Sequence, residues 1–250
     1  MIHSISHELP APVCYALVPC AGVGTRAGTV QPKQFMPVCG QPLVMHTLQA
    51  LASVARIRQG WVLESADNDF AWPSGAAWPA RFSRLRCGGA SRAETVFNGL
   101  HALHAMGVRD QDWVLVHDAA RCLVSAEMVN ALIDRCLVDS VGGLLAVPVA
   151  DTLKSEAHGR VASTLDRSEK WLAQTPQMFP LGALIKAMQP HQSAGFAGIT
   201  DEASAMEIAG FSPLLVPGSA HNFKVTFAAD FALAEALLQG RQALLAKPQG

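Results

Sequence analysis

Four apolar runs constrain the fold of this chain more than any other feature: "CYALVP" (14–19), "GWVLE" (60–64), "DWVLVHD" (112–118) and "GGLLAVPV" (142–149). None alternates polar with apolar residues, as a strand with one wet face must, so each reads as a strand buried on both faces, the habit of parallel sheets. Helical spacing fills the intervals. Val96, Leu100 and Leu103 share one helical face, and Met128, Val129, Leu132, Ile133, Cys136 and Leu137 share another. Strands alternating with helices give right-handed βαβ units, hence an α/β fold with a mostly parallel sheet sandwiched by helices. Ligands of such sheets bind at the carboxyl ends of the strands.

The length of 250 residues suits a single domain of this kind, with its core over 13–240. A net charge of -1 argues against a binder of nucleic acid or of membrane surfaces, which needs a broad basic field. No apolar run approaches the roughly 20 residues of a spanning helix. The start "MIHSISHELPAP" has neither the basic nor the apolar region of a signal peptide, which points to a cytoplasmic protein. The 6 cysteines form no C-x-x-C pair and read as small buried hydrophobes. His101 and His104 sit three apart without an accompanying acid or cysteine, so they read as a packed or solvated pair rather than metal ligands.

Residues 150–179 are polar and turn-rich between short β-like pieces, and read as an excursion from the sheet, an arm or a lid. Residues 64–82 read as loop with at most a helical turn. A closing helix is expected from about 228 to 238, ending near Gly240, with a frayed tail "AKPQG".

Chemistry concentrates in a few loops. In "PCAGVGTRAGTVQPKQF" (19–35), Gly22 and Gly24 let backbone approach a ligand and turn amides toward phosphate oxygens, while Arg26 and Lys33 supply isolated cations. No Gly-Lys-Ser/Thr follows, so this is no Walker loop, and it is a poor dinucleotide fingerprint, with Ala27 rather than a third glycine and no helix-like pattern starting there. Fixed cations of this kind suit a triphosphate whose bridging oxygens gain charge as a bond breaks; the bland reading is a surface turn. In "VLVHDAARCLVS" an apolar strand ends in Asp118, with Arg121 three residues on. Asp118 there could hold Mg²⁺ or a substrate hydroxyl, or cap the next turn, and Arg121 could reach an anion. Gly88 and Gly89, just before a helix start, could line a flat base. Thr200 or Asp201 could cap a helix. Lys224, in the β-like piece "HNFKVTF", would be costly inside unless an anion meets it.

In order along nearly the whole chain come "PCAGVGTR", "PKQ", "GGASRAETV", "VHDAAR", "PVADTLK", "TLDR", "QTPQMF", "TDEASAME" and "NFKVT". This ordered set resembles the 2-C-methyl-D-erythritol 4-phosphate cytidylyltransferases of the non-mevalonate isoprenoid pathway. The resemblance implies a Rossmann-like α/β sandwich with an extended β-arm within 150–179, and a homodimer whose arms reach into each other's active sites. It implies reaction of CTP with methylerythritol phosphate, release of pyrophosphate and a requirement for Mg²⁺. Arg26 and Lys33 would stabilise charge at the α-phosphorus. Arg167 and Lys224 would grip the attacking phosphate with Thr152, Arg167 and Thr152 acting across the dimer. Asp118 and Arg121 would contact the sugar-alcohol substrate or the metal region. Ala21, Gly22, Gly24, Gly88, Gly89, Ala90 and Thr95 would surround the nucleotide, largely through backbone groups.

The chain departs from the family pattern at Cys20, Ala90, Cys122, Ala150 and His221 and in "FAAD" (227–230), none of which removes a side chain assigned to catalysis. Ribitol 5-phosphate cytidylyltransferase is the nearest competing reading. A nucleotide-binding regulator is opposed by the two loop cations, and a dehydrogenase by the missing third glycine.

Overall fold

The apolar runs become four strands of one sheet, three of them side by side and the fourth set apart by one intervening strand. The computed structural model describes residues 11–22, 32–66, 72 and 78–245. The strands are β1 (Cys14–Pro19), β2 (Pro37–Val38), β3 (Gln41–Pro42), β4 (Ile57–Leu63), β5 (Phe82–Leu85), β6 (Trp113–Val116), β7 (Gly143–Pro148), β8 (Leu153–Ala157), β9 (Arg160–Leu165), β10 (Trp171–Pro180) and β11 (Leu214–Pro217). The helices are α1 (Leu43–Ala52), α2 (Arg92–Ala105), α3 (Ala126–Cys136), α4 (Leu181–Met188), α5 (Glu202–Ile208) and α6 (Ala228–Leu245). Among the described residues a seven-stranded sheet runs in the order β11-β7-β10-β6-β1-β4-β5. Every neighbouring pair in it is parallel except the two made by β10, which runs against both β6 and β7.

Alternation along the strands explains why their sequences are apolar throughout. Ala16, Val18 and Leu115 point into one core, with Val44, Met45, Leu48 and Leu51 of α1 and Val129, Leu132, Ile133 and Cys136 of α3. Leu17, Val114 and Val116 point into the other, against Val96, Leu100 and Leu103 of α2 and Leu181 and Leu184 of α4. Two apolar faces leave no position for a polar side chain. Ser91 and Ser125 start α2 and α3 as N-caps, accepting from the amides of Glu94 and Met128. A smaller cluster joins α6 to the loop after β6 through Leu123, Val225, Ala234 and Leu238.

Several expectations are corrected. Residues 150–179 are not one excursion: β8 and β9 form a separate hairpin, with every residue of β9 exposed, whereas β10 returns to the middle of the main sheet. The polar stretch "QTPQ" concealed β10 because its buried glutamines find partners, as Gln177 does in Asp201 and in the Ala203 amide. Helix α6 continues through Gly240 to Leu245, since one helical glycine costs only about 1 kcal/mol and Arg241 anchors the next turn on the Leu123 carbonyl at 2.8 Å. Residues 221–227 form no strand; the Val225 amide is held by the Ala120 carbonyl instead. Leu137 follows α3 as its exposed C-cap, outside the buried stripe. The 64–82 reading holds as loop at 64–66 and 78–81, with Phe82 opening β5; residues 67–71 and 73–77, like the tail 246–250, lie outside the described residues.

Candidate active site

The carboxyl ends of β1 and β6 meet three further segments, 89–92, Lys33 and Gln34 of the turn Lys33–Phe35, and the loop carrying Lys224, around a cavity of 420 Å³. Cys20, Gly22, Lys33, Arg92, Asp118 and Lys224 are among its lining residues. This is where a parallel sheet places its ligand, because the strands end there and the loops diverge.

Asp118 is the centre of the charge pattern. It is 7% exposed and accepts from Lys224 Nζ and Arg92 Nε, each at 2.8 Å, with Arg121 Nε 3.7 Å away. Burial opposes its ionisation, but the attraction of Arg92 and Lys224, the Lys224 hydrogen bond and the charge of Arg121 outweigh it and hold its pKa far below the usual carboxylate range. Lys224 is therefore paired, although it is only half-buried, with 36% of its side chain exposed.

The backbone beneath Asp118 is fixed by a buried relay. The Asp118 amide donates to Thr175 Oγ1, Thr175 Oγ1 lies 3.0 Å from His117 Nδ1, and His117 Nε2 lies 3.1 Å from the Arg121 carbonyl. Burial pushes His117 down to about 4, so its ring is neutral near pH 7. The network then admits one tautomer, with the Thr175 hydroxyl donating to Nδ1 and Nε2–H donating to the carbonyl. His117 holds the loop in place and offers no proton to the cavity.

Lys33 Nζ donates to the Val225 carbonyl at 2.7 Å, tying the first loop to the segment that carries Lys224. Gln34 reinforces that tie by donating to the Cys20 and Gly22 carbonyls at 3.1 and 2.7 Å. Opposite, the Gly88 amide donates to the Glu64 carbonyl at 2.6 Å. A Cβ on Gly88 would lie 2.5 Å from Ala21 Cβ and 2.7 Å from the Glu64 oxygen, so glycine there lets the two walls approach. The amides of Gly89 and Ala90 are taken by Thr95 Oγ1 at 3.0 Å and Glu94 Oε2 at 2.7 Å. With those two amides held by side chains of α2, the carbonyls are the backbone groups of this wall left to a ligand.

Arg121 is a strut rather than a cavity wall. Its fork donates to the Asn222 and Ala173 carbonyls at 2.8 and 3.3 Å, and burial lowers its pKa, an effect the Asp118 charge offsets only in part. Thr152 is exposed at the foot of the β8–β9 hairpin. Arg167 is also exposed and donates to the Ala150 carbonyl; neither lines the cavity of its own chain. Gly24 and Arg26 lie outside the described residues. Asp201 caps α5 in a capping box. Cys20 and Cys122 are buried, Ala90 lines the cavity and His221 is exposed. In "FAAD", Asp230 still caps its helix, accepting from the Thr226 and Phe227 amides.

Two residues central to the site were missed in the sequence. Arg92 donates to Glu202 through both arms of its fork, at 2.7 and 3.1 Å, while its Nε serves Asp118. Burial opposes the charge on Arg92, but attraction to Glu202 and Asp118 raises its pKa, whereas burial pushes Glu202 up and Arg92 offsets only part of that. A signal existed: a cation in the first turn of α2 opposes the helix dipole, so Arg92 needed an acid elsewhere in the fold.

The donor set does not compose a metal centre. Among the described residues no three His, Cys, Asp or Glu side chains group to hold an ion, and the Asp118 oxygens already serve Arg92 and Lys224. His101 and His104 are both exposed, His101 edge-on to Phe97 and His104 3.3 Å from Asp110, as a solvated pair is.

Comparison with known proteins agrees with this geometry. The model of the family described as IspD, 2-C-methyl-D-erythritol 4-phosphate cytidylyltransferase, matches residues 14–240. A protein of that description from Dechloromonas aromatica is 48% identical over 232 residues, covering 91% of this chain and 98% of the relative. A bifunctional IspD/IspF enzyme from Albidiferax ferrireducens is 54% identical over 95% of this chain, which spans little more than half, 56%, of that relative. Among solved structures, a 4-diphosphocytidyl-2C-methyl-D-erythritol synthase superposes with a TM-score of 0.79 at 37% identity, covering 91% of this chain and 99% of the other. The Francisella tularensis 2-C-methyl-D-erythritol 4-phosphate cytidylyltransferase gives 0.76 at 31% identity, covering 90% and 99%.

Proposed function

The chain belongs to the 2-C-methyl-D-erythritol 4-phosphate cytidylyltransferase family, and from that premise we propose that it transfers the cytidylyl group of CTP to 2-C-methyl-D-erythritol 4-phosphate. The products are 4-diphosphocytidyl-2-C-methyl-D-erythritol and pyrophosphate. The observation that carries the reading is the gathering of Lys33, Arg92 and Lys224 around one cavity whose described lining holds one acid, Asp118, and no histidine. A phosphate monoester is already a nucleophile at pH 7. The work left to the protein is to align two mutually repelling anions and neutralise them.

In this reading an acceptor phosphate oxygen attacks the α-phosphorus in line, a new P–O bond forms, and the bond to the β-phosphate bridge breaks to release pyrophosphate. Lys33, joined by Arg26, neutralises charge at the α-phosphorus, and Lys224 orients the attacking phosphate. The walls at Ala21–Gly22 and Gly88–Gly89 receive the nucleoside. With two amides of the second wall engaged by α2, cytosine would be read there through carbonyls, the right partners for its amino group.

The β8–β9 hairpin is proposed as the dimer arm. Supporting this, Val161, Leu165 and Leu172 are exposed on and beside it, at 66%, 49% and 56%, and Arg167 and Thr152 are exposed and do not line the cavity of their own chain. Mg²⁺ is proposed as the triphosphate's counter-ion, which would neutralise phosphate charge, because no three acids, histidines or cysteines among the described residues group to hold it. No described helix is long and apolar enough to cross a membrane, and a cytoplasmic location is part of the proposal.

The test is pyrophosphate release from CTP with Mg²⁺, comparing methylerythritol phosphate, ribitol phosphate and no acceptor. Release with methylerythritol phosphate alone is the expected result. Release with ribitol phosphate alone would overturn the acceptor, and none with either would overturn the activity.

A further inference from the structure

Glu64, at the carboxyl end of β4, takes no part in the mechanism above, yet it is 0% exposed and heavily bonded. Arg84 of β5 grips it with both ends of its fork, Nε to Oε1 at 2.6 Å and Nη2 to Oε2 at 2.8 Å. The Trp72 indole donates to the same Oε1 at 2.6 Å, and the Arg84 guanidinium lies 5.4 Å from the Trp72 ring centroid. Burying the Glu64 carboxylate against an Arg84 that keeps 38% of its side chain exposed is a poor way merely to join two strands, because desolvation of the acid offsets much of the attraction. What a bidentate carboxylate adds is fixed geometry.

Residues 63 and 64 are where that geometry matters. The Leu63 carbonyl accepts from the Cys20 amide at 2.8 Å, holding the wall that leads to Ala21 and Gly22, and the Glu64 carbonyl accepts from Gly88, holding the opposite wall. Trp72 also meets Phe35 edge-on, with centroids 5.0 Å apart. Phe35 adjoins Gln34, whose amide grips the Cys20 and Gly22 carbonyls, and Lys33. The charge of Glu64 reaches Cys20 as well: burial first, then Glu64, pushes that thiol up.

We propose that the Glu64–Arg84–Trp72 clasp is a positioning device for the nucleotide: it sets the spacing of the two walls that receive the nucleoside and so governs affinity for CTP without touching it. The clasp acts on one substrate only. The acceptor's cations, Lys224 and the proposed Arg167, are held by Asp118 and by the hairpin, on contacts independent of Glu64.

The inference rests on CTP being the nucleotide substrate, and the experiment separates the two. Steady-state rates are measured for wild type, Glu64→Gln and Trp72→Phe, varying CTP at saturating methylerythritol phosphate and then the reverse, and CTP binding is measured alone by thermal shift. Glu64→Gln should raise KM for CTP about tenfold, the consequence of replacing a bidentate charge-assisted grip with a neutral one, with KM for methylerythritol phosphate within about twofold. Trp72→Phe keeps the ring packing and loses one hydrogen bond, so it should raise KM for CTP by a smaller factor and must still fold. Unchanged KM for CTP in both variants, or equal rises for both substrates, overturns the clasp's role. A wild type that binds CTP without turnover defeats the functional reading, yet the affinity comparison still decides the clasp.

Discussion

Arg92→Ala removes the hub of the charged cluster, and the structure sets the size of the loss. Glu202 has 1% of its side chain exposed and both of its oxygens on Arg92, so the variant leaves a buried carboxylate with no cation. Asp118 keeps Lys224 and Arg121 and suffers less. Breaking a buried pair from one side costs about 3–5 kcal/mol, and because Arg92 itself keeps 27% of its side chain exposed, the lower end applies. For a chain of this size that is a drop in Tm of about 6–12 °C. The pH dependence has a definite sign. Glu202 already has a raised pKa, and without Arg92 it rises further. A carboxyl with a raised folded pKa contributes stability that is present below its unfolded value and lost as pH rises through the folded one, so the deficit should shrink on acidification from pH 7 toward about 5. Arg92→Ala with Glu202→Leu, which removes the stranded charge, should recover part of the loss. Calorimetric melts of the two variants and wild type at both pH values decide the matter. A double variant no better than the single one, or a deficit that grows in acid, refutes the reasoning.

Lys33→Ala should lower turnover by about 10²–10³ in a protein that still melts near the wild-type temperature, and near-normal rates would remove it from the reaction. Gly88→Ala forces a methyl to 2.5 Å from Ala21 Cβ and 2.7 Å from the Glu64 oxygen; melts should show a loss of about 1–3 kcal/mol, and an unchanged Tm would mean the walls part freely. Asp118 has a depressed pKa, so its contribution is present above the unfolded value near 4 and fades only in stronger acid; Tm differences between Asp118→Asn and wild type should therefore stay constant from pH 7 to about 5, and a gap closing within that range would contradict the assignment. If arms exchange across a dimer, Arg167→Ala and Lys33→Ala subunits mixed one to one should regain about a quarter of wild-type activity, because each mixed dimer has one intact site, whereas silence of the mixture after subunit exchange argues against arms working in trans.

The parts of the fold that could be read in advance are those where one physical cause acts alone. The runs at 14–19 and 112–118 are strands because both of their faces are buried, and no other arrangement removes so many apolar residues from water. β10 escaped because two causes oppose each other: its residues 174–177 are polar, but partners such as Asp201, His117 and Asn222 satisfy them from elements far along the chain. The same holds at the site. Asp118 and Lys224 are legible as isolated charges in apolar surroundings, whereas the role of Arg92 depends on Glu202, 110 residues away, and Glu64 makes sense only beside Arg84 and Trp72. Long-range pairing defeats local reading, and this cluster is built almost entirely of such pairs.

The charge balance of the cluster explains how a chain of net charge -1 can recognise two phosphorylated substrates. Asp118 and Glu202 are opposed by Arg92, Arg121 and Lys224, with Lys33 close by, so cations exceed acids at the cavity although they do not over the whole chain. The acids are the more informative half. Without them, three cations brought together would repel one another and turn outward to water; with them, Arg92 and Lys224 are held at fixed points while a positive excess remains for phosphate. Arg121 shows the limit of the device, since its fork is committed to the Asn222 and Ala173 carbonyls and it does not line the cavity. The buried carboxylates thus organise a positive field, and that is why a site for anions is centred on an aspartate.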